Sequence, residues 1–171
     1  MRTDFDAQTL REILDYNPET GVFIWKPKQS DRWNRKYAGK VAGSNWTTWH
    51  VTYRVIRIER RPYFAHRLAW LWVTGSWPKS AVDHIDRDGT NNRISNLREA
   101  SSSQNAYNSR LSVRNKSGFK GAQLMPSGKY GAQIKHNGKT YWLGSYKSAE
   151  EAHAAYLKAA QNFASEFARA A

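Results

Sequence analysis

A chain of 171 residues with 27 Lys and Arg against 14 Asp and Glu carries a formal charge of +13, a field that directs it toward polyanions. It has no cysteine, which excludes disulfides and thiolate zinc sites, so any fold must rest on its apolar core. No run approaches the roughly 18 consecutive apolar residues of a membrane span, and no apolar signal region follows the Met-Arg-Thr-Asp start, so a soluble intracellular protein is expected.

The sequence Ala7-Gln-Thr-Leu-Arg-Glu-Ile-Leu14, preceded by Asp6, puts Leu10, Ile13 and Leu14 on one side and predicts a short amphipathic helix. Asn17-Pro-Glu-Thr-Gly21 reads as a turn, and Val22 to Trp25 as a strand. Residues 26–49 are basic, rich in Trp and without a period, and are expected to be irregular. Val51 to Ile58 alternates as a strand does, and Glu59-Arg-Arg-Pro62 turns it. Large aromatics dominate buried area in small domains, so Trp25, Trp70 and Trp72 are expected in the core. Trp33, Trp46 and Trp49, set among Lys and Arg, are open between packing and a DNA-facing role. His66 to Val73 reads as a helix ended by Gly75 and Pro78.

Val82 to Ile85 reads as a short strand, and Asp86-Arg-Asp-Gly89 with Asn91-Asn92 is turn chemistry. Ile94 to Ala100 reads as a second strand. Ser101 or Ser102 is a candidate cap for a helix carrying Gln104, Asn105 and Asn108. Strand, loop, strand and helix return Asp83, His84, Asn96 and Asn105 to one place, while Asn91 and Asn92 read as loop formers.

Asp83-His84, Asn96 before Leu97, and Asn105 on a helix together resemble the HNH endonuclease motif in its ββα-metal form. Asn91-Asn92-Arg93 and Ala65-His-Arg-Leu-Ala-Trp70 are similar to its phage and intron-borne branch, where Asn often replaces the last His. The helix and Thr20-Gly21 turn before the Trp25 strand also resemble the opening of phage HNH proteins. The resemblance implies that Asp83 and Asn105 ligate a divalent metal, that His84 is the general base for water, and that Asn96 holds the His84 ring. The chemistry of these side chains agrees. One carboxylate and one amide oxygen suit Mg²⁺ or Mn²⁺, and an imidazole with an unperturbed pKa of about 6.5 accepts a proton near neutrality. His66 is read as a packed side chain rather than a ligand, Arg67 as a phosphate contact on DNA or a brace for the active-site strand, and Arg98 as a DNA contact.

From Arg114 through Lys147 there are seven basic residues and no acid. The segment from Phe119-Lys-Gly-Ala through Tyr141-Trp-Leu-Gly-Ser-Tyr146, with the Ala-rich run after Ser148-Ala-Glu-Glu151, resembles an AP2/ERF DNA-binding domain over about residues 117–168. Alternation in 129–135, the Asn137-Gly138 hairpin signal and a Ser148/Glu151 capping box fit a three-stranded sheet backed by a helix. By position, the resemblance puts DNA contacts at Lys120, Gln123, Met125, Ser127, Gln133, Lys135, Thr140 and Trp142, and Lys129 and Lys139 lie beside them. Most of these positions lack the Arg of the plant pattern, so its GC-rich specificity is not expected.

The expected class is α+β: an N-terminal helix and Trp-rich segment over 1–49, an HNH core over 50–110, a linker over 111–118 and an AP2-like domain over 119–168. The expected function is homing-type, metal-dependent cleavage of double-stranded DNA by a monomer in the cytoplasm of a phage-infected bacterium. The alternative is a non-catalytic DNA-binding regulator.

Overall fold

A computed structural model describes residues 5–48, 51–109 and 111–164. The chain divides into two compact units, residues 1–99 and 100–171.

In the first unit, helix α1 (Ala7–Ile13) starts where the Asp6 carboxylate accepts the Thr9 N–H at 2.8 Å, and it ends where Leu14 turns extended. Leu14 opens strand β1 (Leu14–Asn17), which pairs with β2 (Val22–Trp25), although its side chain also extends the apolar side of the helix. Asn17 organises the hairpin turn by accepting the Glu19 and Thr20 N–H groups. Gly21 closes the turn at φ +74, where a Cβ would stand 2.5 Å from the Asn92–Arg93 backbone.

The stretch expected to be irregular holds a helix and a strand. Helix α2 (Asp31–Tyr37), capped by Ser30, buries no residue, so it carries no apolar stripe to read. Strands β3 (Ser44–Thr47), β4 (Thr52–Ile58) and β5 (Arg61–Phe64) form an antiparallel sheet in the order β3-β4-β5. Pro62 is tolerated because β5 is an edge strand. Helix α3 (Ala65–Thr74) ends on Gly75 at φ +78. Strand β6 (Ala81–His84) pairs with β7 (Leu97–Ala100), and Ile94–Asn96, expected as strand, is a single 3₁₀ turn. Leu10, Leu14, Phe23, Ile56, Leu68 and Leu71 centre the core, with Trp25, Trp70 and Trp72 packed half-buried around it.

The second unit begins with α4 (Ser102–Asn108). Ser101 accepts the Gln104 N–H while Gln104 accepts the Ser101 N–H, a complete capping box. Strands β8 (Ala122–Leu124), β9 (Tyr130–His136) and β10 (Lys139–Tyr146) form an antiparallel sheet in the order β10-β9-β8. Asn137 and Gly138 take φ +47 and +81 at the β9–β10 turn. Helix α5 (Ala149–Ala164) sets Ala152, Tyr156 and Ala160 in the buried layer with Ala132 and Ile134 of β9. The expected box at its start is displaced by one residue: Ser148 accepts the Glu151 N–H, but the Glu151 carboxylate accepts from Lys147.

The units divide at Glu99/Ala100, ahead of the 111–118 stretch that composition offers as a linker. The cause is Tyr107. Its ring is buried with Ile134, Tyr156 and Ala160, and its hydroxyl lies 2.9 Å from His136 Nδ1, so α4 packs as part of the second unit.

Candidate active site

Alternation along β6 buries Val82 and His84 on one side and leaves Asp83 half-buried on the other. The His84 ring is 6 % exposed. Its Nε2 is 3.4 Å from Oδ1 of Asn92, a residue that is itself 2 % exposed. Asn92 is in turn fixed at both ends of its functional groups. Its side-chain Nδ2 donates to the Thr90 carbonyl, and its backbone carbonyl accepts the Tyr16 hydroxyl at 2.7 Å. The His66 ring stands edge to face against His84 at 4.9 Å, with Tyr53 at 6.1 Å. Burial pushes the His84 pKa below the ordinary histidine value by disfavouring the imidazolium; Asn92 and the charges of Asp86, Asp83 and Asp88 oppose that shift. The neutral ring is therefore the dominant form at neutral pH.

Asn96 does not have the expected role of holding this ring. Its Oδ1 accepts the Asp86 N–H at 3.0 Å, and its Nδ2 donates to Asp86 Oδ1 and to the Asn91 carbonyl, each at 2.9 Å. Its backbone carbonyl accepts the Ile85 N–H. With both amide hydrogens spent, Asn96 closes the loop between β6 and β7, and Asn92 is the ring's partner. Nothing in the sequence separates Asn92 from its neighbour Asn91; burial alone distinguishes them. Burial would raise the Asp86 pKa, but hydrogen bonds from the Asp88 backbone, Asn91 and Asn96 outweigh it and keep the carboxyl below its usual range.

Asp83 faces Arg98 across the strand pair, its Oδ2 accepting from Nε at 3.2 Å and from the terminal nitrogen at 3.1 Å. Both side chains are 13 % exposed. Arg98, expected to touch DNA, is thus turned inward to orient the Asp83 carboxylate. Arg67 lies over the Trp77 ring at 5.9 Å, and burial lowers its pKa. His66 is packed, as expected, stacked on Phe64 at 5.3 Å with Nδ1 buried and unpartnered. Asn105 is half-buried on α4, in the second unit.

On the second unit's sheet, register places Lys135 beside Thr140, Gln133 beside Trp142, and Gln123 beside Gly131, all on the face away from α5. Trp142 is 59 % exposed and lies across Gly131, where a Cβ would be 2.5 Å from its ring. Lys129 and Lys139 are exposed at the strand ends. Arg114, Lys116, Gln123, Gln133, Lys135 and Thr140 line an open cleft without a carboxylate. Lys120, expected to contact DNA, is instead spent on the end of α4, its ammonium donating to the Tyr107 carbonyl at 2.9 Å and to Ser109. Met125 is half-buried and Ser127 exposed. Of the three tryptophans open between packing and DNA, Trp33 packs between Trp25 and Tyr37, Trp46 is 50 % exposed, and Trp49 lies outside the described residues.

Residues 63–107 match the HNH endonuclease family model. The matched segment runs from β5 into α4 and holds Asp83, His84, Asn92, Asn96 and Asn105. An uncharacterized HNH endonuclease of Acanthamoeba polyphaga mimivirus is 34 % identical over 105 residues, 60 % of this chain and 54 % of that protein. An ethylene-responsive transcription factor of Medicago truncatula is 44 % identical over 61 residues, 34 % of this chain and 26 % of that protein. The chain spans about half the length of the first relative and a quarter of the second. No solved structure matches the chain at a significant level.

Among the described residues no three His, Cys, Asp or Glu side chains group to hold a metal ion. The Asp83 carboxylate, turned by Arg98, is a hard oxygen donor of the kind that a divalent cation takes.

Proposed function

We propose that the protein is a metal-dependent endonuclease that cleaves double-stranded DNA at preferred sites, in the manner of homing enzymes. The observation that carries this reading is the His84 ring within the HNH-matching segment, buried and held between Asn92 and His66, with Asp83 next to it in the chain. His84 accepts the proton of the attacking water. Asn92 Oδ1 and the His66 edge restrict the ring's rotation, and Asn96 holds the loop that carries Asn92. Arg98 presents the Asp83 carboxylate, which would hold a divalent metal, Mg²⁺ or Mn²⁺. Bound there, the ion supplies positive charge to the developing oxyanion and the leaving oxygen.

The second unit is proposed to dock the enzyme on DNA through Gln123, Lys129, Gln133, Lys135, Lys139, Thr140 and Trp142, a carboxylate-free sheet face of the width a major groove admits. The chain's similarity over 61 residues to a protein named a transcription factor favours a second reading, a DNA-binding regulator without catalysis.

A supercoiled plasmid incubated with the protein, with Mg²⁺ or with excess EDTA, separates the two. Nicked or linear product that disappears with EDTA supports the nuclease, and undiminished cutting in EDTA refutes the metal mechanism. His84→Ala is expected to lose about 10²–10⁴ in rate while keeping its DNA affinity. Loss of binding with unchanged turnover of bound DNA would remove His84 from the role of base.

A further inference from the structure

The sheet formed by β3, β4 and β5 has one face in the core and one that the proposed mechanism does not use. Ile56 and Ile58 of β4 are buried on the inner face. The register pairs Trp46 with Tyr53, Val55 with Phe64, and Arg57 with Pro62, so these residues share the outer face. Among the described residues of the three strands there is no carboxylate. Trp46 is 50 % exposed and Arg57 is exposed. Strand β3 is exposed along its whole length.

This face runs into the candidate active site by ring contacts. Trp46 packs on Phe64 at 5.8 Å, Phe64 stacks on His66 at 5.3 Å, and His66 meets His84 at 4.9 Å. Tyr53 touches Phe64, His66 and His84. The loop after β6 is pressed onto the same strand: a Cβ on Gly89 would be 2.4 Å from the Thr52 carbonyl oxygen and 2.7 Å from the Tyr53 ring. Sheet and site are therefore one packed body. Trp46 thus offers a half-exposed apolar ring, and Arg57 stands on the same face of the sheet, two outward positions further along β4 from the Tyr53 that pairs with Trp46.

We infer that the outer face of this sheet is a second DNA-contacting surface, in which Trp46 packs on the sugars and base edges beside the scissile phosphate and Arg57 takes a phosphate. The inference rests on the nuclease reading for its occupant. Duplex DNA fits for three reasons. The face carries Arg57 and no carboxylate among the described residues of its strands, the rings lead from it to the proposed base, and a two-stranded ribbon such as β3–β4 is of the width that a major groove admits. Aromatic contact with nucleic acid tolerates any base sequence, so this surface would position the strand rather than choose the site.

The test uses the full-length protein, a mixed-sequence duplex without metal for binding, and supercoiled plasmid with Mg²⁺ for cutting. Trp46→Ala is expected to weaken duplex binding by about 5- to 100-fold with an unchanged slope of log affinity against log salt. Arg57→Gln is expected to flatten that slope by about 0.9, the share of one neutralised phosphate. Trp46→Phe, which keeps a ring on Phe64, should recover most of the affinity, and this separates a missing DNA contact from a damaged fold. If both Trp46→Ala and Arg57→Gln bind the duplex like the parent protein, the surface is not a DNA contact. It is likewise refuted if Trp46→Ala only dissolves a dimer whose protomers bind DNA unchanged. A parent protein that cuts while both variants bind normally sinks the surface and leaves the nuclease standing. One that never cuts, but whose binding depends on Trp46, does the reverse.

Discussion

His66 and His84 are two buried imidazoles in contact with each other, and acid acts on both in the same direction. His66 has no partner for Nδ1, and burial, followed by the charges of His84 and Arg67, pushes its pKa down to about 3. In the unfolded chain the same group titrates near its ordinary value of about 6.5. Between those values the unfolded chain binds more protons than the folded one, so stability falls as pH falls. It is full above about 6.5 and drops by about 1.4 kcal/mol per pH unit per group until about pH 3. His84 shifts in the same direction and adds to the effect. His66→Phe keeps the stack on Phe64 and removes the proton, so its thermal midpoint should decline less steeply with acid than that of the parent. Parallel midpoint curves between pH 7 and pH 4 would show that His66 stays uncharged for some other reason, or that it is not buried in solution.

At the scale of elements, the loop from Ile85 to Asn96 decides whether the site is formed, and its two interior asparagines divide the work. Asn92→Ala removes the partner of His84 Nε2 and should lower turnover more than DNA affinity. Asn96→Ala leaves the Asp86 N–H and carboxylate and the Asn91 carbonyl without their common partner. It should cost about 1–3 kcal/mol of stability as well as activity. Denaturation midpoints set against single-turnover rates distinguish the two, and equal stability losses would erase the division. The sequence shows this loop but not that division. The β6 strand, the α4 cap at Ser101 and the alternation of β9 are legible because each follows a local period or a capping rule. Strand β1 is hidden because Leu14 also completes the apolar side of α1, and α2 because it buries nothing. Asn92, Arg98 and Lys120 take roles set by partners at least 8 residues away, His84, Asp83 and Tyr107 respectively, and no local pattern carries that information.

For the whole molecule, the division at Glu99/Ala100 changes how DNA docking must be tested. Deleting residues 114–171 looks like the removal of a docking module. It would also strip Tyr107 of Ile134, Tyr156 and Ala160, and α4 of the Lys120 ammonium that satisfies its last carbonyls. Since α4 carries Asn105, such a truncation would lose docking and an expected metal ligand together. Neutralising the exposed lysines of the sheet in the intact chain separates the two. Lys129, Lys135 and Lys139 are all exposed and lie outside the buried layer, so changing all three to Gln should leave the fold and the site in place. Each phosphate left without its lysine should flatten the slope of log affinity against log salt by about 0.9, giving a change of up to about 2.7 for the three. Cleavage of the preferred site should then fail at moderate salt and return as salt is lowered, because the chemistry is intact and only the docking energy is missing. A triple variant with the parent's salt slope and the parent's site preference would mean that this sheet does not face DNA. The outer face bearing Trp46 and Arg57 would then be left as the proposed DNA contact.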